Sequence, residues 1–260
     1  MISPVEAARA KIERAKEHLR ELDREIGAWK QSPNMFITKY DSQTREYVYA
    51  LAPLPLRFSV IIGDIAHNLR SALDVLVSGF VKIHGGKVTD GTGFPTWRKL
   101  PKDIKKAWKR KVQGLPMGAR TAVKLLQPYR MGEPAAGDHP LWFVHELNRL
   151  DKHQVLHVVY TSAMLFTIAY DGDPTQWTTS WWTQVFPFDP NAEVHRSREP
   201  VNMKDRFLVE IAFEKSGPGK GEAVIPRLQQ TIDFIAQIVE RLHPFVLLSH
   251  DRTGVPPSKG

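Results

Sequence analysis

The chain has 260 residues, 42% of them hydrophobic, which is enough to bury a core in one large domain or two small ones. It contains no cysteine, so disulfides, thiolate nucleophiles and thiolate metal sites are excluded. A formal charge of +8 favours an anionic partner, and residues 98–111 supply most of it, with eight bases against one acid.

No run of 18 apolar residues is present, and the first residues do not resemble a signal peptide. No membrane partner and a cytoplasmic location are therefore expected. Ser3-Pro4-Val5-Glu6 reads as a helix start, with Ser as N-cap and Glu closing a capping box. Val5, Ala8, Ile12, Ala15, Leu19, Leu22, Ile26 and Trp29 then recur at alternating spacings of 3 and 4, a heptad seam. A β-hairpin is expected over 34–50, turning at Asp41-Ser42-Gln43-Thr44. Pro53 and Pro55 precede the next helix, which should end near His84-Gly85-Gly86. Loops are expected over 85–101 and 130–139, with short helices over 102–112 and near 119–126.

Pro140 opens another helix, expected to run to about Leu156. The β-branched and aromatic stretches that follow predict three or four strands. The last helix begins near 222–226 and carries Ile225, Leu228, Ile232, Ile235, Val239, Leu242 and Val246, with Pro244 breaking its final turn. Neither terminal seam is stable alone in water. The two should bury against each other, Ile12, Leu19 and Ile26 meeting Leu228, Ile232, Ile235 and Val239, or else form a homodimer interface.

The helix over 60–77 organises the rest. Ile62, Ile65, Leu69, Leu73, Leu76 and Phe80 form its apolar face, while Asp64, His67, Ser71 and Asp74 recur at i, i+3, i+7 and i+10. Asp, His, Asn and Ser are poor helix formers because they offer the backbone competing hydrogen bonds. Their presence with Asn68 and Arg70 in mid-helix calls for partners inside the fold. The stretch 140–157 repeats the oddity: His145, Asn148 and Lys152 share one stripe, and Glu146, Arg149, His153 and His157 another. A shared polar site is expected in which Asp64, His67, Arg70 and Asp74 meet Asn148, Asp151 and His153.

In the basic segment, Lys102, Lys105, Lys106 and Lys109 fall on one helical face, with Arg110 beside them and Trp97 and Trp108 nearby. Clustered cations with aromatics suit RNA or another polyanion, since phosphates release counterions and bases stack. A basic amphipathic helix also suits an anionic membrane surface. A solvated lysine-rich face is the plain alternative.

GDIAHNLRSALDVLV followed by LWFVHELNRLDKH resembles a group of uncharacterised bacterial and phage-borne proteins with a G-D-x-x-H-N-L-R-S-A-L-D-x-L helix and an N-x-x-D-K-H segment. Gln154 stands where that group usually has Arg. More distantly the arrangement resembles the HEPN superfamily, helical bundles that are often dimeric and include metal-independent ribonucleases. Their motif is an Arg followed by four to six residues and a His. Arg149 with His153 is one residue short of it, and Arg149 with His157 one too long. The resemblance is therefore one of fold.

Three chemical readings stay open. Arg149 and His153, with His67 and Asp64 opposite, form a catalytic set for RNA cleavage: His as general acid or base, Arg stabilising phosphorane charge. His153 and His157 have metal-ligand spacing, but Gln154 stands where a zinc protease needs Glu. A purely structural network of Asn68, Arg70, Asp74, His145, Asn148, Asp151 and Lys152 is the third. No cofactor and no metal are expected. The expected fold is α+β, a mainly helical, HEPN-like bundle in one domain over 1–248. A small antiparallel β-sheet insertion is expected at about 156–215, between the last two long helices, with a flexible tail over 249–260. The function this implies is a nucleic-acid-interacting protein extending to a ribonuclease of a defence or mobile-element system. The alternative is a non-catalytic binding or structural protein of a phage or mobile element.

Overall fold

The computed structural model describes residues 3–153, 156, 158–165, 167–170, 177–180, 183–184, 193–200 and 207–247. The fold is α+β, rich in helix, with small antiparallel sheets. The chain divides into two compact units: residues 1–19, 62–154 and 228–260 form the first, and 20–61 and 155–227 the second.

Three long helices contribute residues to both units: α1 (Pro4–Lys30), α2 (Leu56–Ile83) and α7 (Val224–Leu242). The capping box opens α1, since the Ser3 amide donates to Glu6 Oε2 at 3.0 Å. In the first unit the apolar seams are buried as their spacing requires. Val5, Ala8, Ile12, Ala15 and Leu19 of α1 are enclosed, as are Leu228, Ile232, Ile235 and Val239 of α7. Arg9 clasps the two helices together through Glu240 at 2.7 Å. The whole apolar face of α2 from Ile62 to Phe80 is buried. Pro244 ends α7 at Leu242 and starts the short α8 (Pro244–Leu247).

Between α2 and α7 the first unit holds α3 (Ile104–Val112), α4 (Met117–Leu125), α5 (Ala135–Asp138) and α6 (Pro140–Asp151). Asp103 caps α3 by accepting from the Lys106 amide at 2.9 Å. The stretch expected as loop over 130–139 contains α5 and the end of a 3-10 turn, Pro128–Met131. Helix α6 ends at Asp151 rather than near 156, where the His153 amide tightens onto the Leu150 carbonyl at 2.9 Å.

In the second unit the expected hairpin is β1 (Phe36–Asp41) with β2 (Glu46–Leu51). Asp41 Oδ1 accepts from the Gln43 and Thr44 amides and fixes the turn. The strands between α6 and α7 are β3 (Val158–Leu165), β4 (Thr167–Tyr170), β5 (Trp177–Ser180), β6 (Thr183–Gln184), β7 (Glu193–Ser197) and β8 (Phe207–Phe213). They do not form a self-contained insertion: β7 pairs with β2, giving a sheet β1-β2-β7 beside a second, β6-β3-β8, and the pair β4-β5. Buried Tyr160 of β3 donates to the Ala52 carbonyl at 2.9 Å and accepts from Trp29 Nε1 at 3.0 Å. Burial pushes its phenol up to about 12.

Candidate nucleic-acid interface

The chemistry of the first unit starts on α2. Arg70 donates to both carboxylate oxygens of Asp74, at 3.0 and 2.8 Å, one helical turn along. The same guanidinium reaches the Phe94 carbonyl at 2.6 Å and Thr96 Oγ1 at 3.0 Å. Asp74 in turn accepts from the Phe94 amide at 2.8 Å. A residue pair within one helix thus holds the loop 85–103 by its backbone. Gly93 is required there, because a Cβ would lie 2.7 Å from Asp74 Oδ1. The Gly93 amide passes the connection on to α3, donating to the Lys111 carbonyl at 3.1 Å.

Helix α6 closes this seam from another side. His145 is half-buried, and burial together with the charges of Arg70 and Lys111 depresses its pKa. Half-buried Lys111 is lowered likewise, first by burial and then by Arg70, with Asp74 opposing. At the other end of α6, Asp151 lies against Gly63, where a Cβ would sit 2.0 Å from its Oδ1. Only glycine lets the α6 carboxylate approach α2 this closely. Burial and the neighbouring Asp64 raise the Asp151 pKa, and His67 opposes the rise. Asp151 of α6 thus lies against Gly63 of α2, and His145, six residues earlier on α6, feels the charge of Arg70.

The expected site residues separate accordingly. Arg70, Asp74 and His145 gather in the seam, while Asp64, His67 and Asp151 gather at its open end, Asp64 and His67 both exposed. Asn68 is buried and donates to its own helix at the Asp64 carbonyl, 2.8 Å away, and His67 lies 3.4 Å from Ser71 Oγ. Asn148 is buried on α6. Arg149, Lys152 and His153 are exposed, and Arg149 is engaged by Glu146 at 2.9 Å. Gln154 and His157, and with them the spacing for a metal pair, lie outside the described residues. Among the described residues no three His, Asp or Glu side chains are grouped to hold a metal ion.

The basic segment is a different kind of surface. Lys102, Lys105, Lys106, Lys109 and Arg110 are all exposed on or just before α3. Ile104, Trp108 and buried Val112 turn inward, and Trp108 stands edge-on to Trp97 with ring centres 5.2 Å apart. Helix α4 extends the patch with Arg120 and Lys124, which the periodicity of α3 alone does not reveal. The sequence signal for them is a lack of acids: residues 98–124 hold ten bases and one acid, a surplus of nine that exceeds the net charge of the whole chain. Between α3 and α4 lies a groove of about 530 Å³ lined by the apolar Trp108, Val112 and Met117 and by Lys105, Lys109, Arg120 and Lys124. No carboxylate lines it. Arginines elsewhere, among them Arg9, Arg57, Arg98, Arg149 and Arg196, are matched to Glu or Asp partners.

No helix among the described residues is long and apolar enough to cross a membrane. No family model matches the chain, and neither a curated protein nor a solved structure matches it.

Proposed function

We propose that the chain is a nucleic-acid-binding protein that engages phosphates through α3 and α4. The observation that carries this reading is the surplus of exposed cations around the α3–α4 groove with no carboxylate to neutralise them. Such a face can neutralise phosphates and release the cations condensed on a nucleic acid, which makes binding favourable and salt-dependent. The Arg70–Asp74 pair is structural in this reading: it fixes the loop that carries α3, which accounts for Asp74 in mid-helix. Labelled RNA titrated into the full chain at 50 and 200 mM salt tests the proposal. Affinity falling steeply with salt is the expected result, and retention unchanged by salt, or none at 50 mM, refutes it.

A second reading, metal-independent RNA cleavage by a HEPN-like bundle, is favoured by one observation, the gathering of Asp64, His67 and Asp151 at the open end of the α2–α6 contact. A His beside two carboxylates is a competent proton-transfer group. Arg149 would have to leave Glu146 to reach a phosphate, which is why binding is the leading reading. Cleavage that persists in chelator and is lost in His67→Ala or His153→Ala would establish the second.

A further inference from the structure

We propose that the α3–α4 groove takes an unpaired base, making the ligand class single-stranded rather than duplex nucleic acid; this rests on the phosphate-binding reading above. The groove is not merely basic. Trp108, Val112 and Met117 give its lining an apolar part, and Met117 at the start of α4 is 84% exposed. A large thioether left in water at the centre of a cationic surface has no role in phosphate binding. It is suited to covering a flat, polarizable ring. Trp108 is held in place by Trp97, so its indole is a fixed wall rather than a side chain free to collapse into the groove. Cations around an apolar slot match the make-up of a nucleotide, an uncharged base joined to a charged phosphate. A duplex turns its bases inward and could use the cations but not the apolar lining.

The opposite flank of α3 strengthens the assignment. A second groove of about 410 Å³ is lined by Lys87, Thr89, Thr92 and Arg110 with the backbone of Gly86 and Gly114. It has neither an apolar side chain nor a carboxylate. Lys109 and Gln113 line both grooves, so the two adjoin across the C-terminal end of α3. Hydroxyls, amides and cations suit a phosphate and its sugar. A strand crossing α3 would place a base on the α4 side and the adjacent phosphate on the loop side, one nucleotide bridging both.

The test is fluorescence anisotropy of the full chain with a labelled 12-nucleotide oligouridine and a duplex of the same length, at matched salt. The single strand should bind roughly ten- to a hundredfold more tightly, the usual range for stacking one base. Met117→Ser, which leaves charge unchanged at an exposed position, should reduce that preference about tenfold. Lys87→Gln with Arg110→Gln should reduce the salt slope for the single strand by about 1.4, the value for two phosphates. Circular dichroism confirms that each variant is folded. Equal affinity for single strand and duplex, unmoved by Met117→Ser, would overturn the base slot while leaving a phosphate-binding surface. Absence of binding to both ligands and to heparin would overturn the phosphate reading and this inference together.

Discussion

Asp74 has the Arg70 guanidinium and the Phe94 amide each at 2.8 Å, whereas Lys105, Lys109, Arg120 and Lys124, one loop away, line a groove without a single carboxylate. The two regions belong to one unit and are linked through the Gly93 amide and the Lys111 carbonyl. In the seam the Arg70–Asp74 pair is partly withdrawn from water, the Arg70 side chain being only 12% exposed, and both members are answered by a counter-charge and a backbone group. On the face the cations stay hydrated and unanswered. Desolvating an unpaired charge is costly, so a protein buries charge only when it is matched. Leaving charge unmatched carries little cost at the surface and leaves it available to a partner. On the proposed reading the seam serves stability and the face serves recognition.

Reversing the face should have the largest effect. Changing Lys102, Lys105, Lys106 and Lys109 to Glu takes the formal charge from +8 to zero. RNA affinity should fall roughly a hundred- to a thousandfold and its salt dependence flatten. The melting temperature should move little, since each exposed site contributes within about 0.5 kcal/mol. A folded variant that binds RNA as well as the parent would end the assignment of this face.

Asp74→Ala should do the reverse. It strands the Arg70 guanidinium and the Phe94 amide, at a cost of about 2 to 3 kcal/mol. That is below the figure for a fully enclosed pair, because the Asp74 side chain is 39% exposed. The melting temperature should drop by several degrees in thermal unfolding, and RNA binding should weaken only through the loosened loop. If Asp74→Ala melts like the parent yet loses binding as fully as the lysine reversal, the seam belongs to the contact surface and the comparison collapses.

Acidification sharpens the contrast further. Burial and Arg70 hold His145 below the ordinary imidazole value, so the folded state takes up its proton later than the unfolded chain. The stability this provides is present above the unfolded value near 6.5 and is lost as pH falls below it. The loss stays well under the ceiling of about 1.4 kcal/mol per pH unit for one proton, because the ring is only half-buried. Denaturant unfolding at pH 7.5 and pH 5.0, parent against His145→Gln, isolates this group. Equal pH slopes in the two would show that His145 is not coupled to the seam.

The smallest effect is expected at the open end. The Asp151 carboxyl is raised, so its protonated form is favoured by folding and stability falls as pH rises through that raised value. Asp151→Asn should be slightly more stable at pH 7, by a few tenths of a kcal/mol, since solvent screens an exposed group. The gain should shrink in 0.5 M salt, and a destabilised Asn variant would mean that the carboxylate has a partner that needs its charge.

The terminal seams were legible because burial of one helical face is written as a 3.6-residue period, and Ile12, Leu19, Ile232 and Val239 follow it without exception. Ser3 announced a helix start by the same local logic. The oddity of α2 was legible too, but not its meaning: Asn68 turned back onto its own helix, whereas Asp74 reached a loop amide twenty residues on. Arg120 and Lys124 went unread because they sit on a different helix from the lysine cluster.

By itself, then, the sequence determined where the long helices lie, which faces are apolar, where the charge is concentrated and that α2 carries unusual polar groups. Each of these depends on residues within a few turns of one another. Only the tertiary structure decided that Asp151 comes to Gly63, that β7 joins the N-terminal hairpin, and that α4 completes a basic groove with α3. Those contacts join residues on separate elements, in two of the three cases more than eighty positions apart. They are selected by shape and charge complementarity between finished surfaces, a property that no local period encodes.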